Sequence, residues 1–99
     1  MISTIVKIAT KPSIQQDNQL SIDNVQPSKV ILYNDNIHTF DEVINQIIKA
    51  IKCGRTEAES KTLEVHTRGK AAIYEGTLEE CLKVTSVLEE IALHTQIEY

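Results

Sequence analysis

The spacing of apolar residues changes along the chain and predicts both strands and helices. Residues 30–33 (Val-Ile-Leu-Tyr) form a continuous apolar run, which is typical of a buried strand. Three later segments carry stripes with a spacing of three or four residues, which gives a helix one buried face. The stripes are Val43, Ile44, Ile47, Ile48 and Ile51, then Ala58, Thr62, Val65 and His66, then Cys81, Val84, Leu88 and Ile91. The pattern therefore predicts a strand followed by three helices.

Capping and turn residues indicate where these elements begin and end. A threonine followed three residues later by a glutamate forms a capping box at a helix start, and such a pair precedes each of the three predicted helices: Thr39 with Glu42, Thr56 with Glu59, and Thr77 with Glu80. Gly54 is expected near the left-handed position that ends the first helix, and Gly69 is expected to end the second. We expect the third helix to continue to about Leu93.

Two further strands complete the predicted fold. Ala71–Tyr74 is typical of a short strand closed by Gly76, and Thr95–Tyr99 alternates between polar and apolar residues as a half-buried strand does. The order is then strand, helix, helix, strand, helix, strand. A three-stranded antiparallel sheet covered on one face by three helices would bury every stripe at once. The sequence therefore predicts an α+β sandwich.

The first 28 residues differ in composition from the rest. Residues 11–28 are rich in Gln, Asn, Asp and Ser, and such a segment buries too little apolar surface to order itself. Ile2, Ile5, Val6 and Ile8 are compatible with a short strand or a docking segment. We predict a flexible extension over residues 1–28 and one domain over residues 29–99.

Composition argues against several classes of function. The chain has 99 residues, a net charge of −4 and a pI near 5.3, whereas a nucleic-acid partner favours a basic face. No apolar run approaches the ~20 residues of a membrane span, and no signal peptide is recognisable. We therefore expect a cytoplasmic protein without a membrane partner. The three histidines have no metal-ligand spacing, and no cofactor is expected.

The two cysteines, Cys53 and Cys81, are expected to be reduced thiols, because disulfides are rare in a cytosol. Cys81 lies on an apolar stripe and is expected to be a small core residue. A hydrolase built on either thiol with His66 is the least favoured function, because no Cys–His spacing here is diagnostic.

A polar loop, Asn34-Asp35-Asn36, follows the first strand and precedes the Thr39 cap. Short polar side chains favour turns because each can bond its own backbone, and spacing alone favours this turn-shaping role. Polar loops held between rigid elements also carry binding sites. A carboxylate, an amide oxygen and a neutral imidazole such as His66 together suit an ammonium group, which has three donors and a positive charge.

Two segments, KVILYNDN (residues 29–36) and LEVHTRGKA (residues 63–71), resemble the ClpS family of bacterial Clp protease adaptors in order and spacing. The resemblance extends from about Pro27 to the C-terminus. It implies the sheet-and-helix layout described above and an adaptor rather than an enzyme. By this resemblance, Asn34, Asp35 and His66 would hold the amino terminus of a substrate protein.

The resemblance also implies an apolar pocket beside the amino-terminus site. Its candidate residues are Ile37, Phe40, Val43, Thr62 and Val65, for each of which core packing is the alternative explanation. On the third helix, Glu79 and Lys83 fall in the region that the family uses against its unfoldase. Their default interpretation is a solvated pair at i, i+4.

Four positions depart from the family pattern. Asn36 replaces a common acidic residue, which should weaken the attraction for an amine modestly. His38 replaces a small hydroxyl residue and is expected at the surface. Phe40 and Thr62 stand where methionines often line the pocket. We therefore expect the pocket to prefer a different first residue from the usual Phe, Leu, Tyr or Trp.

These observations predict an adaptor that binds proteins with a free bulky hydrophobic N-terminal residue, an N-degron. It would deliver them to a Clp AAA+ unfoldase of the ClpA or ClpC type, acting as a monomer in the bacterial cytoplasm. The alternative is a ClpS-like regulatory module that docks on the unfoldase and alters substrate choice with a changed or lost pocket.

Overall fold

The computed structural model describes residues 26–99, in which the elements follow one another in the predicted order. They are β1 (Ser28–Tyr33), α1 (Phe40–Ile51), α2 (Arg55–Arg68), β2 (Lys70–Gly76), α3 (Leu78–Leu88), a 3-10 turn (Glu89–Ile91) and β3 (Thr95–Glu98). The predicted α+β fold with three helices and a three-stranded antiparallel sheet is confirmed.

Strand β1 lies at the centre of the sheet, with the order β2-β1-β3. It pairs antiparallel with β2 from Ser28 opposite Gly76 to Tyr33 opposite Lys70, and with β3 from Lys29 opposite Glu98. Side chains of a strand alternate between the two faces of the sheet, and Val30, Ile31 and Leu32 are all buried, so both faces of β1 are covered there and its apolar run is continuous. The end of β1 is therefore held between two strands, and the polar loop starts from a rigid point.

The hydrophobic core lies between one face of the sheet and the three helices. Each element contributes a part of the stripe that the sequence showed, and the largest fully buried side chains are Val30, Leu32, Ile47, Ile73, Cys81 and Leu88. Gln46 is a polar residue within this packing, and its amide donates to the Val87 carbonyl at 2.6 Å. Burial of apolar side chains of this size stabilises by about 1.5–3 kcal/mol each.

Two of the three predicted capping boxes are present. Thr39 accepts a hydrogen bond from the backbone of Glu42, whose carboxylate in turn accepts from the backbone of Thr39. Thr77 and Glu80 make the same reciprocal pair at the start of α3. These boxes fix the direction in which α1 leaves the polar loop and α3 leaves β2.

The predicted capping box of Thr56 with Glu59 was wrong. Helix α2 begins at Arg55 with Gly54 as its N-cap, so Thr56 lies inside the first turn and not before it. The left-handed residue that ends α1 is Lys52, with a φ of 60°, whereas Gly54 is extended. Gly69 does end α2 in the left-handed conformation, with a φ of 87°.

The end of α3 also differs from the prediction, since the helix stops at Leu88 and not near Leu93. The next three residues form the 3-10 turn, and Ala92 then adopts a left-handed φ of 64°. Ile91 is half-buried in this turn, and Leu93 is 4% exposed. This turn brings the end of the third stripe back towards the end of β1.

Most of the predicted extension, residues 1–28, lies outside the described residues. The short strand or docking segment around Ile2 to Ile8 lies there too. Ser28, the last residue of that range, opens β1 and is buried. None of the helices within residues 26–99 has the length and apolar character of a membrane span.

Candidate functional site

A cavity of about 260 Å³ opens where the polar loop, the start of α1 and the end of α2 meet. Seven of the eight residues predicted for the amino-terminus site and the apolar pocket line it: Asn34, Asp35, Phe40, Val43, Thr62, Val65 and His66. The exception is Ile37, which does not line the cavity and is 81% exposed. The structure thus brings the loop and the two helices together around one space.

The loop is held in place through its backbone. The N–H of Asn34 donates to the carbonyl of Gly69 at 2.9 Å, which joins the loop to the left-handed end of α2. Asp35 accepts hydrogen bonds at Oδ1 from the N–H groups of Ile37 and His38, both at 2.9 Å. Asp35 therefore shapes the turn through Oδ1, while its second oxygen, Oδ2, contacts a side chain, the ring of His38.

His38 is not the surface residue that we expected. Its side chain is only 10% exposed, and its Nδ1 lies 2.7 Å from Oδ2 of Asp35. Its Nε2 lies 2.5 Å from the carbonyl oxygen of Ile91 in the 3-10 turn. The hydrogen bonds that the His38 ring donates to Asp35 and to the Ile91 carbonyl raise the pKa of His38, although burial opposes this. His38 therefore links the polar loop to the far end of the chain.

The charge of Asp35 is favoured by the same contacts. Partial burial raises the pKa of Asp35, but the hydrogen bonds from the backbones of His38 and Ile37 and from the His38 ring outweigh it. The pKa is therefore lowered overall. A carboxylate that accepts several hydrogen bonds stays ionised, so the cavity has an anion at its polar end.

Apolar groups form the opposite part of the cavity. Val65 and Thr62 are buried, at 3% exposure each, while Phe40 is 42% exposed at the rim. The hydroxyl of Thr62 donates to the carbonyl of Ala58 at 2.7 Å. That hydrogen bond uses the only donor of Thr62, so this wall is less polar than the sequence suggests.

His66 is exposed and completes the rim between the polar and apolar parts. Its ring meets that of Phe40 edge to face, with centroids 5.4 Å apart and planes inclined at 78°. The cavity thus combines an anion, an amide and an imidazole with an apolar wall. Such a set can hold a group that has a cationic end and a hydrophobic side chain.

Glu79 and Lys83 lie on the exposed side of α3, away from the core. Their charged atoms are 4.0 Å apart, and both side chains are largely exposed. Leu78 and Leu82, on the same helix, are 43% and 53% exposed. We call Leu78, Glu79, Leu82 and Lys83 the α3 surface.

Neither cysteine has the environment of a nucleophile. Cys81 is fully buried in the core and Cys53 is half-buried. Burial raises the pKa of both thiols, and nearby glutamates add to the effect. Reactive cysteines have a lowered pKa, so these contacts argue against the hydrolase hypothesis.

Sequence reasoning missed several residues of the cavity. Leu32, Tyr33, Asn36, His38, Thr39 and Leu93 also line it. Most of them lie in the polar loop or beside it, and this position in the sequence could have placed them at the cavity. Leu93 has no such signal, because only the turn after α3 brings it to the cavity.

A solved structure shares the fold of this chain, and two known proteins resemble part of its sequence. The structure of Agrobacterium tumefaciens ClpS2 bound to L-phenylalaninamide superposes with a TM-score of 0.65 at 18% identity, covering 74% of this chain and 95% of that one. Residues of this chain are 35% identical to part of the E3 ubiquitin-protein ligase UBR1 of Drosophila melanogaster over 68 residues, and 31% identical to part of human UBR2 over 58 residues.

The extent of these matches differs widely. The UBR1 match covers 68% of this chain but only 4% of that ligase, and the UBR2 match covers 59% of this chain and 3% of that ligase. In contrast, residues 23–97 match the model of the family described as the ATP-dependent Clp protease adaptor protein ClpS. That match includes every strand and helix described above except the last residue of β3. The chain belongs to the ClpS adaptor family.

Proposed function

We propose that this protein binds the free N-terminal residue of substrate proteins in the cavity and delivers those proteins to a Clp AAA+ unfoldase. The observation that carries this proposal is the pairing, in one cavity, of an ionised Asp35 with an apolar wall of Val43, Thr62 and Val65. An α-ammonium group and its side chain are joined at one carbon, so a receptor needs both features side by side.

The roles of the individual residues follow from their chemistry. Asp35 supplies a negative charge, and charge-assisted hydrogen bonds to an ammonium are the strong ones. Asn34 and His66 supply neutral acceptors at the same rim. Phe40, Val43, Thr62 and Val65 surround the substrate's first side chain. Ile37 has no part in this pocket, because its side chain faces solvent.

The comparison with ClpS2 supports this assignment. That protein was solved with L-phenylalaninamide, a small molecule with a free amino group and an aromatic side chain. A bulky hydrophobic first residue of a protein presents the same two groups. At 18% identity, the two proteins share the fold.

Delivery requires a second surface. We assign it to the α3 surface, because Leu78 and Leu82 expose apolar area beside the charges of Glu79 and Lys83. Protein interfaces combine such apolar groups with a polar rim. The partner is an unfoldase of the ClpA or ClpC type, and the adaptor acts as a cytoplasmic monomer.

The test is fluorescence anisotropy with labelled peptides that differ only in their first residue. We expect binding of peptides with a free bulky hydrophobic N-terminus, and loss of binding when the same peptide is acetylated, because acetylation removes the charge. Equal binding of free and acetylated peptides would show that the cavity does not recognise the amino group.

The engagement of Asp35 by His38 favours a second candidate function. Since Oδ2 of Asp35 already contacts the His38 ring, the anion is less available to a ligand. The protein would then be a regulator that docks on the unfoldase through the α3 surface without binding N-degrons. Unfoldase binding that is lost on Leu82→Asp, together with no affinity for any peptide, would support this candidate.

A further inference from the structure

The ring of His38 lies between two groups that can only accept hydrogen bonds. One is the carboxylate of Asp35, 2.7 Å from Nδ1, and the other is the carbonyl of Ile91, 2.5 Å from Nε2. Each contact at such a distance requires a hydrogen on the ring nitrogen. A neutral imidazole has one hydrogen and an imidazolium has two. Both contacts are therefore satisfied only by the imidazolium.

We propose that His38 is the positioning residue for Asp35, that it acts as an imidazolium, and that its proton and a bound amino group compete for the same carboxylate. The competition rests on the proposed function, since it needs an amine in the cavity. The positioning role does not, because it concerns contacts of the free protein.

The hydrogen bonds of Asp35 show why the two cations compete. Oδ1 already accepts from the backbone of Ile37 and His38, and Oδ2 accepts from the His38 ring. The remaining lone pair on Oδ2 is the open position for an ammonium. An ammonium there lies beside the imidazolium, and His38 also lines the cavity. Like charges at such a separation disfavour each other.

The groups around His38 determine the sign of the coupling. Asp35 in the loop and Glu42 in α1 face the ring with negative charge, and the Ile91 carbonyl faces it from the 3-10 turn. All three favour the imidazolium in the free protein. A bound amine opposes it, so binding should release a proton. His66 is the second imidazole that lines the same cavity.

Loss of the proton also changes how the loop is attached. A neutral ring can donate to Asp35 or to Ile91 but not to both. Ile91 is followed closely by Leu93, which lines the cavity. The proton on His38 therefore holds the polar loop to the segment that forms part of the cavity wall.

The direct test is NMR of the ring nitrogens of His38 over a pH series, first in the free protein. We expect both nitrogens to carry hydrogen at pH 7, because each of them faces an acceptor. A ring that carries hydrogen on only one nitrogen at pH 6.5 would overturn the positioning role, whether or not any peptide binds.

The same titration is repeated with a saturating peptide that has a free N-terminal phenylalanine. We expect the midpoint for His38 to fall by about half a unit or more, which corresponds to about threefold weaker binding to the protonated form. Binding with an unchanged midpoint would refute the competition while leaving the proposed function intact. No binding would refute the proposed function and the competition, but the free-protein titration still decides the positioning role.

Two variants separate the charge from the hydrogen bond. His38→Asn keeps a neutral donor near the place of Nδ1, so we expect it to retain peptide binding and to lose the part of the pH dependence that His38 causes. His38→Ala should weaken binding, because Asp35 loses its support. His94→Gln is the matched control and should keep the pH profile of the original protein. An identical pH profile for His38→Asn and the original protein would contradict the competition.

Discussion

The rings of Phe40 and His66 meet edge to face with their centroids 5.4 Å apart. One is the first residue of α1 and the other lies in the last turn of α2. The contact places an aromatic wall and an imidazole side by side at the rim of the cavity. Edge-to-face pairs of this kind contribute roughly 0.5–1.5 kcal/mol beyond the area they bury.

This pair allows the acceptor role of His66 to be separated from its packing. His66→Phe keeps a ring against Phe40 but removes the nitrogen that would accept from an ammonium. We expect unchanged thermal stability and about tenfold or greater loss of affinity for a peptide with a free N-terminus, since a hydrogen bond to a charged group contributes about 1.5–3 kcal/mol. Anisotropy titrations and thermal melts check this, and unchanged affinity would show that His66 only packs.

Asp35→Asn should remove the anion that the cavity offers to an amine. We expect a loss on the order of 2–5 kcal/mol, or roughly 30-fold or more, in the affinity for free-amine peptides. Asp41→Asn is the matched control, because Asp41 is an exposed carboxylate 3.2 Å from Arg55. An Asp35→Asn variant that binds the peptides as well as Asp41→Asn does would rule out Asp35 as the binding anion.

The contacts of Asp35 and His38 should make stability depend on pH. The pKa of Asp35 is lowered in the folded protein. Its contribution to the free energy of unfolding is therefore present above its pKa in the unfolded chain, about 3.9, and is lost as the pH falls through the lower pKa of the folded protein. The pKa of His38 is raised in the folded protein. Its contribution to the free energy of unfolding is therefore complete below its pKa in the unfolded chain, about 6.5, and is lost as the pH rises through the higher pKa of the folded protein.

His38→Ala should therefore lower the free energy of unfolding most at a pH between about 4.5 and 6.5, by about 2 kcal/mol. The difference from the original protein should shrink as the pH rises towards 9. Urea denaturation at pH 6 and pH 9 measures this change. A difference that grows with pH would mean that His38 is neutral in the folded protein.

The two helix starts at Thr39 and Thr56 offer a controlled test of capping. Thr39→Ala removes the side-chain acceptor of a formed capping box and should lower the free energy of unfolding by about 1 kcal/mol. Thr56→Ala lies within the first turn of α2 and should change it by less than about 0.5 kcal/mol. Equal losses in chemical denaturation would contradict the helix start at Arg55.

Gly69 and Gly54 should respond in opposite ways to substitution. Gly69 has a φ of 87°, which costs a residue with a Cβ about 1–2 kcal/mol, so Gly69→Ala should destabilise and disturb the nearby Asn34. Gly54 is extended, and no atom of the described residues lies within 4 Å of a Cβ placed there. Gly54→Ser adds a capping oxygen to α2 and should stabilise by up to about 1 kcal/mol. Chemical denaturation compares the two.

Local pattern was enough to predict most of the architecture. The capping boxes at Thr39 and Thr77 join residues three positions apart. In the apolar stripes of α1 and α3, successive residues are about one helical turn apart. These interactions act within an element, so they are visible in the sequence. All eight residues proposed for the cavity came from the family resemblance, and the structure brings seven of them together around it.

Some of the predictions that failed involve contacts between distant segments, and one, that for Ile37, involves a local turn. At the start of α2, Arg55 forms an ion pair with Asp41, which lies 14 positions earlier in the chain. The turn after α3 carries the Ile91 carbonyl to His38 across 53 positions. Ile37 was expected in the pocket from the family resemblance, but in the turn formed by Asp35 its side chain is 81% exposed.

The sequence by itself determined the order of the elements, the buried faces and the family, because periodicity, caps and motifs are properties of neighbouring residues. Only the tertiary structure decided that His38 is enclosed between Asp35 and Ile91, that Thr62 uses its hydroxyl on Ala58, and that Leu93 lines the cavity. Burial and hydrogen-bond partners depend on which segments meet in space, and that is what sets the charge and the polarity of the site.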